Sequence, residues 1–67
     1  MNFSKALDAL FGNHIVRRKV WGRLSHIVMS GREIKLQQTT MFSVKDQGNW
    51  LPGRDDLFAD DWEIVDG

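Results

Sequence analysis

The most constraining residue types of this chain lie together in residues 50–65: Trp50-Leu51-Pro52-Gly53-Arg54-Asp55-Asp56-Leu57-Phe58-Ala59-Asp60-Asp61-Trp62-Glu63-Ile64-Val65. The segment holds two of the three tryptophans, the only proline and four aspartates. Pro52-Gly53 predicts a turn that leads into a single helical turn at about 54–58, with Asp55 or Asp56 as its cap. Residues 62–65 predict a short edge strand, because they are aromatic and β-branched. We expect its tryptophan to pack against the other helix of the chain.

That other helix is predicted at the start of the chain. Asn2 is placed to cap its first turn, and Gly12-Asn13 can adopt the left-handed conformation that ends a helix. A helix of about nine residues is too short to persist alone, so we expect it to dock on a sheet. Five apolar side chains recur at the spacing of one helical face: Phe3, Ala6, Leu7, Leu10 and Phe11.

The residues between these ends predict the sheet. Residues 15–20 and 24–29 predict two strands separated by a bend at Trp21-Gly22. Ser30-Gly31 suits a two-residue hairpin turn. Residues 33–44 alternate between apolar and polar side chains, which predicts a longer strand or a bent pair with one wet face.

The predicted fold class is α+β, with one N-terminal helix packed on a small, strongly bent antiparallel β-sheet. Residues 46–49 complete the pattern as a predicted turn. The length allows a single domain, residues 1–67. A monomer of this size is marginal, because it buries only about 60% of its unfolded surface. Seven aromatic residues, three Trp and four Phe, fit a chain that buries aromatic surface against copies of itself, so we expect a homo-oligomer, a dimer or a tetramer.

The composition argues against disulfides, metals and cofactors as stabilising elements. The chain has no cysteine, which excludes disulfides and thiolate zinc sites. His14 and His26 stand twelve residues apart without a partnered carboxylate pattern. We therefore expect no metal and no cofactor.

The sequence predicts a cytoplasmic protein. Residues 1–10 lack the continuous apolar core of a signal peptide and carry Lys5 and Asp8. No segment approaches the roughly 18 apolar residues of a membrane span. The lack of cysteine is compatible with a reducing cytosol.

Charge is sorted along the chain although the net charge is zero. Residues 1–35 carry seven Lys and Arg against two acidic residues, a balance of +5, and residues 36–67 carry two against seven, a balance of −5. Halves so opposed could attract each other within one fold or across copies in a head-to-tail assembly, or form a solvated surface of mixed sign. Duplex nucleic acid is not an expected partner, because an acidic half lacks the surface that neutralises phosphates.

The segment 17–23 is the candidate binding site, since it places Arg17 and Arg18 beside Trp21. A base stacks on an indole ring, and an arginine donates to phosphate oxygens. The alternative is that Trp21 is a core residue and the basic residues form a solvated strand face. The aspartates of 55–61 lack the register of a calcium loop, and no nucleophile or phosphate-loop motif is present, so we expect no catalytic residues and no enzyme.

The chain contains three motifs, each of which occurs once: Phe3-x-x-Ala6-Leu7-x-x-Leu10-x-Gly12, Val16-x-Arg18-x-x-Trp21 and Asp56-Leu57-x-Ala59-x-Asp61-Trp62-Glu63-Ile64-Val65. Together they resemble the Thoeris anti-defence family of the second type, small phage and prophage proteins. The resemblance implies a compact α+β protomer in a homo-oligomer, commonly a tetramer. It also implies a sponge that binds cyclic ADP-ribose-type signals, and in some members cyclic oligonucleotides, without degrading them.

Carried over by position, Trp21 matches a ligand-stacking aromatic residue, and Arg18 matches the basic residue near it. With Arg17, Trp50 and Asp56 they form the predicted ligand-binding set, although Asp56 also reads as fold-defining. The predicted function is therefore a phage or prophage anti-defence protein that sequesters a cyclic nucleotide-type immune signal in the bacterial host cytoplasm. The alternative is a prophage structural or interaction protein that assembles without a small-molecule ligand.

Overall fold

A computed structural model describes residues 1–40 and 42–65 and confirms the α+β class. Helices are α1 (Phe3–Phe11) and α2 (Arg54–Phe58), and a 3-10 turn covers Lys19–Trp21. The strands are β1 (Val16–Arg18), β2 (Ser25–Ser30), β3 (Glu33–Thr39), β4 (Val44–Asn49) and β5 (Trp62–Ile64). They form one open antiparallel sheet in the order β4-β3-β2-β1-β5, so β5 is the edge strand that was predicted.

Helix α1 has the predicted bounds and ends. The Asn2 Oδ1 atom accepts a hydrogen bond from the backbone N of Lys5 at 3.0 Å, which satisfies one of the free donors of the first turn. At the other end Asn13 has a φ of +65°, the left-handed conformation expected there. The helix packs its buried side chains against one face of the sheet.

Strand register places the core on that face. Val16 pairs with Ile27 on one side and with Ile64 on the other, so side chains of three strands point in the same direction. Trp62 lies opposite Arg18 on the same face. The buried core is small and consists of Ala6, Ala9, Leu10, Val16, Ile27 and Trp62.

One strand prediction needs correction, and the structure decides between the two alternatives of another. The strand predicted over residues 15–20 is shorter, because the chain leaves the sheet after Arg18 and forms the 3-10 turn. The predicted bend at Trp21-Gly22 is confirmed, with Gly22 at a φ of +68°. Of the two predictions for residues 33–44, a longer strand or a bent pair, the structure adopts the second: Thr40 and Ser43 hydrogen-bond across a reversal of the chain between β3 and β4.

The turn predicted at residues 46–49 is wrong. These residues belong to β4, where the register shifts between Lys35 and Gln37 of the neighbouring strand. The turn-forming residue types serve an irregularity inside the strand: Gly48 has a φ of +92°, and its N donates to the Asp46 Oδ1 atom at 2.7 Å. Turn composition therefore marked a bulge rather than a chain reversal.

Trp62 connects the closing segment to both ends of the fold. Its indole is 1% exposed and lies 5.5 Å from the ring of Phe3, which confirms the predicted packing against the first helix. Its Nε1 donates to the backbone carbonyl of Asp56 at 3.1 Å. Its backbone N donates to the Met1 carbonyl, so the start of the chain lies along the outer side of β5.

Neither helix in residues 1–40 and 42–65 has the length and apolar character that spanning a membrane requires.

Replacing Trp62 with alanine is expected to unfold the protein, because it removes the largest buried side chain. Such substitutions cost about 3–5 kcal/mol, and a core in a domain this small rarely supplies more than about 3–5 kcal/mol. Circular dichroism and thermal denaturation measure the effect. Phe42→Ala is the matched control, since Phe42 is 92% exposed; it should stay within about 0.5 kcal/mol of the parent. A cooperatively folded Trp62→Ala protein would contradict the central role of this side chain.

Candidate functional site

Four aromatic rings form a cluster: those of Phe3, Trp21, Trp50 and Trp62. Trp62 is its centre: its ring lies 5.3 Å from Trp21, 5.8 Å from Trp50 and 5.5 Å from Phe3. Both tryptophan contacts are edge-on, with interplanar angles of 82° and 84°. Edge-to-face geometry is favourable, because the positive ring edge meets the negative face of its neighbour.

Trp21 and Trp50 form the outer part of this cluster, which we call the aromatic corner. Their ring centroids are 6.1 Å apart with an interplanar angle of 72°. Both side chains are half-buried, whereas Trp62 behind them is fully buried. Each corner residue therefore rests on the core and keeps part of its ring at the surface.

Local backbone structure fixes both corner residues. Trp21 ends the 3-10 turn, whose closure is a hydrogen bond from the Gly22 N to the Lys19 carbonyl. Trp50 follows β4 directly, and its N donates to the Ile34 carbonyl at 2.8 Å. The two residues are 29 positions apart, and β1 and β4 end at opposite ends of the antiparallel sheet. Their rings meet because both pack on Trp62.

Arg18 joins β1 to the closing segment through two carboxylates, a group that we call the Arg18 clasp. Its Nε donates to the Asp61 Oδ1 atom at 2.9 Å, and its Nη1 donates to the Asp56 Oδ1 atom at 3.0 Å. The Arg18 side chain is only 16% exposed. Charged hydrogen bonds shielded in this way are stronger than exposed ion pairs.

The Arg18 clasp shifts the pKa values of Arg18 and Asp61 so that the charged form of each is favoured. The hydrogen bond from Arg18 is the main cause that lowers the pKa of Asp61. The hydrogen bonds to Asp61 and Asp56 raise the pKa of Arg18 above its already high value. Opposite charges within hydrogen-bonding distance favour the ionised form of each other.

Asp56 has three separate partners, which explains its place in the closing motif. Its Oδ1 binds Arg18, and its Oδ2 accepts from the Gly53 N at 2.9 Å, at the start of α2. Its backbone carbonyl accepts the Trp62 indole proton. The expectation that Asp55 or Asp56 caps this helical turn is confirmed for Asp56.

Arg17 lies on the opposite face of the sheet, because neighbouring residues of a strand point to opposite sides. Its Nε donates to the Glu63 Oε1 atom at 2.7 Å. The structure therefore brings together four residues of the predicted ligand-binding set and leaves the fifth apart. The four are Trp21, Trp50, Arg18 and Asp56.

The sorted charges of the two halves meet within one protomer. Arg17 and Arg18 of the basic half bind Glu63, Asp61 and Asp56 of the acidic half at 2.7 to 3.0 Å. Of the arrangements considered from the sequence, attraction within one fold is the one that these residues adopt.

Lys19 and Arg23 are the two basic residues that flank Trp21 in the sequence without being bound to a carboxylate of the described residues. Both are exposed, and neither forms an ion pair within residues 1–40 and 42–65. Sequence reasoning favoured the arginines nearer the start of the segment instead. Strand pairing is the signal that could have distinguished the two pairs of basic residues. Pairing of β1 with β5 places Arg17 and Arg18 against carboxylates of β5 and of the segment before it.

In the part of the chain that the structure describes, there is no enclosed pocket, and no group of three or more His, Asp or Glu side chains could hold a metal ion. His26 lies on the open face of the sheet with its Nε2 2.9 Å from the Gln37 Oε1 atom. The features open to a ligand are therefore the aromatic corner and the two exposed cations that flank Trp21 in the sequence.

The protein is of the α+β class, with an aromatic cluster and an arginine–carboxylate clasp that connect the two ends of the described chain. A family model described as Thoeris anti-defense 2-like domain matches residues 1–65 of the 67-residue chain. The chain belongs to this family, which supports a role in Thoeris anti-defence. Comparison with curated proteins and with solved structures gave no match.

Acidification should destabilise the folded protein through Asp61. Its pKa in the folded state is below the ordinary value of 3.8, so its contribution is complete above about pH 4 and is lost as the pH falls through the lowered pKa. Denaturant midpoints between about pH 6 and pH 2 measure this loss. Asp61→Asn is the control, because it can still accept a hydrogen bond but does not titrate. Equal pH dependence of the two proteins would count against the clasp.

Arg18→Lys should lower the melting temperature although it preserves the charge. A single ammonium cannot reproduce the two-pronged donation to Asp61 and Asp56. Losing one charged hydrogen bond at this partly exposed site costs about 1 kcal/mol, or about 4–8 °C in a domain of this size. Arg17→Lys is the matched control, since its one contact to Glu63 can be replaced by a lysine. Similar melting temperatures for the two variants would show that the paired hydrogen bonds of Arg18 to Asp61 and Asp56 add no stability beyond that of a single ion pair.

Proposed function

We propose that this protein binds and sequesters a cyclic nucleotide-type immune signal of the cyclic ADP-ribose class and does not degrade it. The observation that carries the proposal is the aromatic corner, in which Trp21 and Trp50 keep part of their rings at the surface above a buried Trp62. Aromatic side chains stack bases with little dependence on base identity. Family membership supplies the biological setting, Thoeris anti-defence.

Phosphate recognition is assigned to Lys19 and Arg23 rather than to the arginines of β1. Arg18 donates two of its nitrogens to Asp61 and Asp56, and Arg17 lies across the sheet from the corner. Lys19 and Arg23 flank Trp21 in the sequence and are exposed. A ligand of the cyclic ADP-ribose class would place its base on the indole and its phosphates toward these two cations.

Sequestration rather than catalysis is the proposed mode of action. A protein that lowers the free concentration of a signal needs tight binding and a copy number that exceeds the signal, but no turnover. Acid–base chemistry requires two titrating groups in different environments within one site. Near the corner the carboxylates of Asp56 and Asp61 are bound to Arg18, where they stabilise the fold.

The proposed active form is a homo-oligomer, a dimer or a tetramer, in the bacterial host cytoplasm. Among residues 1–40 and 42–65, six hydrophobic residues are buried, while nine large hydrophobic side chains are exposed. This imbalance supports association, because contact between copies would remove apolar surface from water.

Direct binding measurements test the ligand. Purified protein is titrated calorimetrically with cyclic ADP-ribose isomers and with cyclic di- and trinucleotides, then heated, and the released compound is identified by mass spectrometry. We expect one class to bind and to be released intact. Altered ligand would indicate an enzyme, and no binding across the panel would favour the alternative of an assembly protein without a small-molecule ligand.

Variants at the corner separate binding from folding. Trp21→Leu keeps an apolar side chain but removes the stacking face, and should weaken binding by about 1–3 kcal/mol, roughly five- to 150-fold. Lys19→Ala combined with Arg23→Ala should weaken binding and reduce its dependence on salt. Arg17→Ala is the control on the opposite face and should leave affinity unchanged. Circular dichroism verifies that each variant is folded.

A further inference from the structure

The outer side of α2 carries apolar and charged side chains that its own protomer does not cover. Leu51 and Phe58 are 85% and 82% exposed, and Leu57 is also exposed. Arg54 and Asp55 are exposed and form no ion pair within the described residues. We call these five residues the α2 face.

Helical spacing places the opposite charges beside the apolar side chains. Residues three or four positions apart are neighbours on a helix surface. Arg54 therefore lies next to Leu57 and Phe58, and Asp55 lies next to Phe58. Asp56 points the other way, toward Arg18, and fixes the orientation of the whole turn. The result is an exposed Phe58 flanked by one positive and one negative charge.

We propose that the α2 face is a contact between two copies of this chain, related by a two-fold axis. In such a contact the same patch meets itself, so Arg54 of each copy can pair with Asp55 of the other. The two adjacent charges of opposite sign are what a self-complementary patch needs, and Phe58 and Leu51 supply the apolar centre. Mutual burial of Phe58 covers about 300 Å² or more, a substantial part of the about 1,200 Å² that the smaller stable interfaces bury.

The α2 contact also bears on ligand binding, and this link rests on the proposed function. The α2 face begins at Leu51, directly after Trp50 of the aromatic corner. A partner seated on Leu51 lies beside the corner and provides a further wall for a molecule stacked on Trp21. Ligand binding and association are then linked, so each strengthens the other.

Charge reversal provides the sharpest test. R54D and D55R each place like charges across the two-fold contact, and each alone should shift the protein toward monomer in native mass spectrometry and light scattering at micromolar concentration. An equimolar mixture of the two variants restores both pairs and should form a heterodimer with at least tenfold tighter association than either variant alone. Phe58→Ser should also give monomer. Phe42→Ser, at a position of similar exposure elsewhere, should retain the parent's assembly.

Three outcomes would overturn the inference: a monomeric parent protein, single reversals with the parent's assembly, or a mixture with no preference for the heterodimer. Circular dichroism establishes that each variant is folded, so loss of assembly is not loss of fold. The ligand panel remains a separate measurement. If the protein dimerises through α2 but binds no compound, only the proposed function is contradicted. If the R54D variant binds ligand as tightly as the parent does, the link between association and ligand binding is contradicted.

Discussion

The fold depends on the burial of one indole between two segments that are distant in sequence. Trp62 is in the last strand, yet its ring contacts Phe3 of the first helix and the two tryptophans that follow β1 and β4. Its Nε1 also ties down α2 through the Asp56 carbonyl. It is the largest of the six buried hydrophobic side chains in the described residues. Placement of Trp21 and Trp50 at the surface follows from this packing, because both lean on the same ring.

Electrostatics reinforces the same junction from the polar side. The Arg18 clasp binds the loop before β5 and the turn of α2 to β1, and Arg17 binds β5 on the opposite face. A short edge strand of three residues has few backbone hydrogen bonds, so these side-chain contacts carry much of its attachment. The basic and acidic halves of the sequence are thus explained by the need to hold the two ends of a small chain together. Lys19 and Arg23, which flank Trp21 in the sequence, take part in none of these ion pairs.

Local signals in the sequence were sufficient for the parts of the fold that local interactions determine. Helix α1 was predicted with its cap and its end, because its apolar spacing and Asn2 act within a few residues. The single turn of α2 and the edge strand were predicted for the same reason. The turn expected at residues 46–49 was wrong, since a bulge and a reversal use the same residue types and only the register against β3 separates them. The candidate site divides in the same way. Trp21 is a candidate because of its sequence neighbours alone, whereas the separation of Arg17 from Arg18 depends on pairing with β5.

The bulge in β4 has a consequence for how copies of the chain can associate. An exposed strand at the edge of a sheet offers backbone groups on which further strands can add without limit, and evenly paired edges are the usual start of fibrils. Here Gly48, in a conformation with positive φ, interrupts the outer strand, and Lys45 places a charge along it. At the other edge Met1 hydrogen-bonds to Trp62 and occupies part of β5. With both edges obstructed, growth by strand addition is disfavoured, and side-chain surfaces are left as the route to assemblies of finite size.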